Sequence, residues 1–268
     1  MKVISITNLK GGCAKTTTAT AMAELLANGD RKVGRPGVPV LLFDNDPQGN
    51  ASRLFDAYEG NQEAAACRII KTSRAAGNIL HTSNPKIDII PCNYFMELAE
   101  MEIKEDEERI QHDRYRKALA EVGQEYAYCI IDNPPHLGMN VINAIVASDE
   151  IIIPVNLDSY SLDGLEELVA QIDQIKALNR KARLAGCLIT DAERTQAQEA
   201  AEAWLRTQSG FRVFTQKIRH SKCGKDATFY KRTIIQHSIR SGAAQDYKQF
   251  VNEYIVRTAA GKGNSHAI

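Results

Sequence analysis

A short segment near the start of the chain has the residue types of a phosphate-binding loop. It begins at Lys10, reads Lys-Gly-Gly-Cys-Ala-Lys-Thr-Thr, and lies between an apolar run and a stretch of good helix formers. Consecutive backbone N–H groups and the positive end of a helix can together surround a polyphosphate. Lys15 can then reach the outer phosphates, and the Thr16 hydroxyl can bind Mg²⁺. The residues of this predicted nucleotide-binding loop are Lys10, Gly11, Gly12, Cys13, Ala14, Lys15, Thr16 and Thr17.

One position of this loop departs from the ordinary phosphate-loop pattern. Ala14 occupies the place where the last glycine normally lies. Glycine adopts a positive φ without steric cost, whereas alanine does not. We therefore expect Ala14 to have a negative φ.

Two further apolar runs are followed by carboxylates. The first is followed by Asp-Asn-Asp-Pro, which contributes Asp44 and Asp46, and the run from Tyr128 to Ile131 is followed by Asp132. P-loop enzymes use an apolar strand that ends in one carboxylate to place the group that holds the magnesium shell through water. Asp132 is predicted to have that role. Because Asp-Asn-Asp-Pro also favours a β-turn, a purely structural role is the alternative for Asp44 and Asp46.

Three segments of the sequence resemble the ParA/MinD family of P-loop ATPases. The string K-G-G-x-x-K-T resembles that family's deviant Walker A box, and the carboxylate segments resemble its D-x-D-P-Q-G-N and D-x-P-P-x-L-G boxes. The resemblance implies that Lys10 crosses a dimer interface to touch the nucleotide of the other subunit. It also implies that Asp44 lies near the hydrated Mg²⁺ and that Asp46 helps to position the attacking water.

The resemblance spans nearly the whole chain and implies an ATP-dependent dimerisation switch. The implied activity is a Mg²⁺-dependent ATPase that is slow without a ParB-like activating protein, with ATP and Mg²⁺ as cofactors. The sequence lacks the Asn-Lys-x-Asp string of guanine-specific P-loop families, which favours adenine. The candidate catalytic residues are Lys10, Lys15 and Asp46. The candidate metal ligands are Thr16, Asp44 and Asp132.

Short apolar runs alternate along the chain with longer stretches of helical spacing. This alternation predicts an α/β fold of the P-loop NTPase type, with a mostly parallel central sheet and helices on both faces. The predicted strands are residues 3–6, 40–43, 87–90, 128–131, 151–155 and 184–189, and the predicted helices include 17–27, 162–178 and 196–205. Residues 97–117, dense in alternating charges, are predicted to form a solvated helix face. We expect a single domain over residues 1–268 with a flexible tail at 260–268.

The composition argues against several classes of protein. Lysine plus arginine equals aspartate plus glutamate at 33 each, so the net charge favours neither nucleic acid nor a membrane nor an acidic substrate. The six cysteines form no C-x-x-C pair, which argues against a zinc site or a disulfide framework. No apolar run approaches the roughly 18 residues of a membrane-spanning helix. We expect a cytoplasmic protein with reduced thiols and no membrane partner.

Residues 212–248 form a locally basic segment, with nine lysines and arginines against two aspartates. Such a segment can follow a DNA backbone by neutralising phosphates without reading sequence. Arg219 and Lys222 are the candidate DNA contacts, and an ordinary solvated surface is the alternative. The family resemblance implies that the ATP-bound homodimer binds DNA nonspecifically, associates with the nucleoid, and serves plasmid or chromosome partitioning. The alternative function is a MinD-like positioning ATPase that acts on a membrane or a protein scaffold.

Overall fold

The computed structural model describes the backbone of residues 1–263 and their side chains, apart from the side chains of residues 159–163, 176, 225 and 260–263. The strands are β1 (Lys2–Ile6), β2 (Val40–Asp44), β3 (Leu80–His81), β4 (Ile87–Ile90), β5 (Tyr128–Asp132), β6 (Glu150–Asn156) and β7 (Arg183–Thr190). The helices are α1 (Lys15–Asn28), α2 (Asn50–Leu54), α3 (Ala65–Thr72), α4 (Phe95–Lys104), α5 (Arg114–Glu121), α6 (Met139–Ala147), α7 (Ser159–Lys176), α8 (Gln196–Thr207), α9 (Lys222–Phe229), α10 (Ile234–Ser238) and α11 (Gly242–Gly263).

These strands form one sheet in the order β3-β4-β2-β5-β1-β6-β7. All neighbouring strands pair in parallel except β3, which is antiparallel to β4. Because β1 lies between β5 and β6, the loop that follows β1 leaves the sheet at the centre of its C-terminal edge. Ligands of open α/β sheets bind at this edge.

Both faces of the sheet are covered by helices. On one face, alternate strand residues such as Ile4 and Leu42 pack with α1, α10 and α11. On the other face, Leu41 and Ile131 pack with α3, α4 and α5, while Ile151 packs with α6 and α7. Parallel strands that are buried on both sides read as continuous apolar runs, which is why they could be recognised from the sequence. The predicted fold class is confirmed.

Some local predictions were wrong. The segment 97–117 is not one helix face, because α4 ends at Lys104 and α5 begins at Arg114. Arg114 is buried and donates hydrogen bonds to Asp106, 2.7 Å away, and to the carbonyl of Ile70, so its charge holds a turn together instead of facing water. The short edge strand β3 has no apolar pattern and was missed. Helix α11 extends through Gly263, so the predicted tail at 260–268 begins within a helix; residues 264–268 lie outside the described residues.

Candidate nucleotide site

The predicted phosphate loop lies between the end of β1 and the first turn of α1. Within the described part of the chain, the backbone N–H groups of residues 11–17 make no hydrogen bond, and the first helical bond of α1 is that from the Thr18 N–H to the Ala14 carbonyl. Gly11 and Gly12 are exposed, and no atom would contact a Cβ added to either. A run of unpaired N–H groups at a helix N-terminus is suited to bind an anion.

The expectation for Ala14 was wrong. This residue has φ +64° and ψ +32°, in the left-handed region, and it is the N-cap of α1. For an L-residue this conformation costs roughly 1–2 kcal/mol. The loop therefore keeps the backbone shape that glycine would favour, although the sequence supplies alanine.

Lys15 is held inside the loop. Its side chain is buried, and Nζ donates a hydrogen bond to the Lys10 carbonyl, 2.8 Å away. The Cys13 thiol donates to the same carbonyl at 3.2 Å. Because Cys13 is buried, the pKa of its thiol is raised, although the neighbouring Lys15 opposes the shift. Lys15 is thus positioned in the loop by a backbone acceptor.

Lys10 is held by an ion pair within the same chain. Its Nζ lies 2.6 Å from both carboxylate oxygens of Asp158, in the segment between β6 and α7. Both side chains are partly exposed, Lys10 by 33% and Asp158 by 44%. The backbone N–H of Lys10 also donates to Asn8 Oδ1 at 3.0 Å. The lysine is therefore accessible from outside the molecule but is neutralised in the monomer.

Asp132 and Asp44 lie side by side where β5 and β2 end. The two residues are paired in register, and Ile6 of β1 pairs with Asp132. Asp132 is fully buried, and neither of its carboxylate oxygens has a hydrogen-bond partner among the described residues. Burial raises the pKa of this carboxyl well above its usual range; the Asp44 carboxylate adds to the shift, while the charge of Lys15 opposes it. Two unpaired buried oxygens next to a second carboxylate and a threonine fit the outer shell of a divalent cation.

Asp44, unlike Asp132, is held by hydrogen bonds within the protein. Its Oδ2 accepts hydrogen bonds from the backbone N–H and the hydroxyl of Ser52, at 2.7 and 2.6 Å. Burial raises the pKa of Asp44 to about 7, although the Ser52 hydrogen bonds lower it. Ser52 was not identified from the sequence, because nothing in its local pattern shows that α2 returns it to the end of β2.

Asp46 begins a tight turn that leads into α2. Its Oδ1 accepts from the backbone N–H of Gln48 at 2.9 Å, and its carbonyl accepts from Gly49 at 2.8 Å. Gly49 has φ +62°, and a Cβ there would lie 2.7 Å from the carbonyl oxygen of Cys92. The β-turn that the sequence allowed is therefore present, and the same residue lies at the C-terminal edge of the sheet beside Asp44.

Buried amides hold these strand ends together. Asn45 Nδ2 donates to Asn133 Oδ1 at 2.8 Å, and Asn133 Nδ2 donates to the Ser5 hydroxyl at 2.8 Å. The Tyr115 hydroxyl donates to Asn45 Oδ1 at 2.7 Å, and Asn140 donates to the Asn45 carbonyl at 3.0 Å. All of these side chains are fully buried. The ends of β1, β2 and β5 therefore form one hydrogen-bonded unit.

The ends of β6 and β7 support the loop from its other side. Asn156 Nδ2 donates to the Gly12 carbonyl at 3.3 Å, and the Thr190 hydroxyl lies 3.1 Å from the Cys13 carbonyl. Thr190 also lies 2.8 Å from Asn156 Oδ1. Neither residue was identified from the sequence. The only available signal was that both follow apolar strands at the same edge as the loop.

The comparisons with known proteins agree with this geometry. The profile of a family described as an AAA domain matches residues 1–184. The sporulation initiation inhibitor protein Soj of Bacillus subtilis is 33% identical over 259 residues, which cover 94% of this chain and 97% of that protein. The chromosome partitioning protein ParA of Myxococcus xanthus is 30% identical over 263 residues, which cover 96% of this chain and 88% of that protein. The chain belongs to the ParA/MinD family of P-loop ATPases.

A solved structure shares the fold of this family member. Cobyrinic acid a,c-diamide synthase from Mycobacterium smegmatis, solved with a bound ATP analogue and magnesium, superposes with a TM-score of 0.80 at 21% identity and covers 97% of each chain. The resemblance that the three boxes indicated is confirmed. The roles of individual residues in this family member stay predictions.

The basic segment is less uniformly basic in the fold than in the sequence. Arg219 donates to both oxygens of Asp246, with Nε and Nη2 each 2.7 Å away. Lys217 pairs with Glu202 at 2.6 Å. Lys222 is exposed and, among the described residues, has no ion-pair partner. Of the two candidate DNA contacts, Lys222 thus keeps its full charge, whereas that of Arg219 is largely compensated.

His136 lies in the loop between β5 and α6. It is half exposed and lies 4.0 Å from Glu100. The Glu100 carboxylate instead accepts the backbone N–H of Asn140 at 2.8 Å, which fixes the start of α6.

In the described part of the chain no helix is long and apolar enough to cross a membrane.

Proposed function

We propose that this family member is an ATP-dependent dimerisation switch that hydrolyses ATP to ADP and phosphate and, as the ATP-bound homodimer, binds DNA nonspecifically for plasmid or chromosome partitioning. The observation that carries the proposal is the run of unpaired N–H groups at residues 11–17 directly beside the unpaired, buried carboxylate of Asp132. One group of atoms is suited to polyphosphate and the other to the cation that accompanies it. Of the two relatives described above, one is named a chromosome partitioning protein and the other a sporulation initiation inhibitor protein.

The loop would bind the phosphates of ATP. The N–H groups of residues 11–17 would donate to the phosphate oxygens, and Lys15 would exchange the Lys10 carbonyl, now 2.8 Å away, for the β- and γ-phosphates. An ammonium in contact with phosphate forms a charge-assisted hydrogen bond that is stronger than the one it replaces. Lys15 is therefore positioned for its role before the nucleotide binds.

Magnesium would be held by Thr16, Asp44 and Asp132. Among the described residues no three acidic, histidine or cysteine side chains come together to hold a metal on their own, so water and phosphate would complete the shell. When bound, the ion neutralises the charge that develops on the phosphates during transfer. Asp132 has two unpaired oxygens for this shell, whereas the Ser52 hydrogen bonds fix the orientation of Asp44.

Dimerisation would complete the site. Lys10 would leave Asp158 and contact the nucleotide of the facing subunit, and Asp46 would orient the attacking water. ATP then acts as a switch ligand because it binds the dimer in preference to the monomer. Asp46 already has one oxygen engaged with the Gln48 N–H, which fixes the direction of its carboxylate. Slow turnover without a ParB-like activating protein is part of the proposal.

The DNA surface would be formed by exposed cations of the basic segment. The exposed candidates without an ion-pair partner among the described residues are Arg212, Lys222, Lys231, Arg232 and Arg240. Phosphate contacts of this kind bind all duplexes alike and weaken as salt rises. The ATP-bound dimer would then associate with the nucleoid inside a bacterial cell, and ADP would release it.

The decisive experiment compares Asp46→Ala with Lys15→Ala. Removing a group that orients water costs about 10²- to 10⁴-fold in rate, while the phosphate contacts persist. In size-exclusion chromatography with ATP and Mg²⁺, the wild type should return to monomer as ATP is consumed, and Asp46→Ala should remain a dimer. Lys15→Ala should neither bind ATP in calorimetry nor dimerise. An Asp46→Ala protein with normal phosphate release would show that Asp46 is only a turn residue.

A further inference from the structure

We propose that two exposed aromatic side chains, Phe229 and Tyr230, contact duplex DNA together with the cations beside them. The inference rests on the proposed function and deepens it, since it specifies how the DNA is held. The two residues, called the ring pair, lie where α9 ends.

The ring pair is unusually exposed for its size. Phe229 is 82% exposed, the largest value for a large apolar side chain in the part of the chain that the structure describes, and Tyr230 is 62% exposed. The two rings meet edge to face with their centroids 5.3 Å apart. Tyr230 also stacks on His237 of α10 at 5.7 Å. The rings are therefore held in place without being covered, and they present an ordered apolar surface to the outside.

Uncompensated positive charge surrounds the ring pair. Lys231 and Arg232 follow it directly in sequence and are exposed, and Lys222, which is also exposed, begins the same helix. Against these three cations, α9 contributes one acid, the exposed Asp226. The local charge therefore stays positive. Charge complementarity of this kind matches a polyanion.

Lys231, the residue directly after the ring pair, has a left-handed backbone conformation. Lys231 has φ +50°, its N–H donates to the Thr228 carbonyl at 3.0 Å, and the Arg232 N–H donates to the Ala227 carbonyl at 2.9 Å. This is the pattern that closes a helix through a left-handed residue, a place where glycine is preferred. A lysine there carries a steric cost, and such strain is commonly found at functional sites.

Duplex DNA can contact both the cations and the ring pair. The cations can neutralise phosphates, and apolar side chains can press between base steps or against sugars in the minor groove. Neither contact reads base identity. The ring pair would thus add affinity to the nonspecific complex without adding sequence preference.

The test separates the rings from the charges. Binding of a labelled random-sequence duplex would be followed by fluorescence anisotropy with the full chain, Mg²⁺ and a non-hydrolysable ATP analogue, at several salt concentrations. Phe229→Ala/Tyr230→Ala should weaken binding about tenfold at every salt concentration, because the apolar contact with base steps or sugars is lost while the phosphate contacts remain. The salt slope should not change, because no charge is removed. Lys231→Gln/Arg232→Gln should instead flatten the log–log slope by about two.

Two controls make the outcome unambiguous. Tyr94→Ala removes a comparably exposed ring, 50% exposed, at the start of α4 and should leave DNA affinity unchanged. Light scattering with the ATP analogue should show that the ring-pair variant dimerises like the wild type. The single variant Phe229→Ser provides the same test should the double variant fold poorly.

Three results would contradict the inference. Wild-type affinity in the ring-pair variant would show that the cations act alone. Loss of dimerisation in that variant would assign the rings to the subunit interface. Absence of DNA binding by the wild type in every nucleotide state would instead refute the DNA part of the proposed function, and the inference with it, whereas the first two results leave that function intact.

Discussion

Replacing Ala14 with glycine is expected to stabilise the nucleotide-free protein. Ala14 has φ +64° at the N-cap of α1, and a left-handed L-residue costs roughly 1–2 kcal/mol that glycine avoids. Glycine also gives the unfolded chain more freedom, which offsets about 0.4–1 kcal/mol of that gain. The net expectation is an increase of about 0.5–1 kcal/mol in the free energy of unfolding. In a chain of this size it corresponds to a rise of about 1–3 °C in Tm.

A mirror substitution elsewhere provides the control. Gly34 has a similar φ of +67°, and no atom would contact a Cβ added there, so Gly34→Ala introduces the same backbone cost without a clash. Urea denaturation and thermal melting without nucleotide should show Ala14→Gly more stable than the wild type and Gly34→Ala less stable by a similar amount. If Gly34→Ala behaves as expected and Ala14→Gly does not stabilise, the loop conformation derived for Ala14 is wrong.

Two further predictions concern paired groups. Asp158→Asn removes the charge that holds Lys10 and should raise the dimer fraction in light scattering at a fixed ATP concentration by about two- to fivefold. Lys10→Ala should lower the dimer fraction and leave monomeric ATP binding intact. Equal dimerisation by the wild type and both variants would refute the role of the pair. Glu24, hydrogen-bonded to Thr233 and Gln236, has a pKa raised by burial from 4.5 to about 7. The pKa of Glu24 is higher in the folded than in the unfolded protein, so its contribution to stability is fully present below pH 4.5 and is lost as the pH rises through 7. The free energy of unfolding should decrease by about 3 kcal/mol over this range. Glu24→Gln should remove that part of the pH dependence in urea titrations, and an unchanged pH profile would contradict the assignment.

The nucleotide loop and Asp132 could be predicted because their signal is local. An apolar strand, a glycine turn and a helix follow one another in sequence, so the type of site is set by neighbouring residues. The contacts that shape the loop are not local: Asp158, Asn156 and Thr190 reach it from segments that are distant in sequence. No spacing rule in a single sequence gives these pairings.

Charge was the least predictable property of the chain. A count over residues 212–248 treats Arg219 as a free cation, yet Asp246, 27 residues later, accepts both of its hydrogen bonds. Arg114 shows the same failure, because a residue typical of solvated helix faces is buried against Asp106. Whether an ionic group faces water or a partner depends on tertiary packing, which a local pattern does not contain.

The support of the loop by β7 has a consequence for how this protein acquires its ligand. All residues that define the nucleotide motifs precede Ile142, but Thr190, which contacts the Cys13 carbonyl and Asn156, comes from the last strand of the sheet. On a ribosome, the nascent chain therefore exposes a complete set of motif residues well before it has a correctly shaped loop. Tight nucleotide binding should begin only when β7 has left the exit tunnel and paired with β6. A stalled chain that ends before Thr190 should accordingly be a poor competitor for cellular ATP.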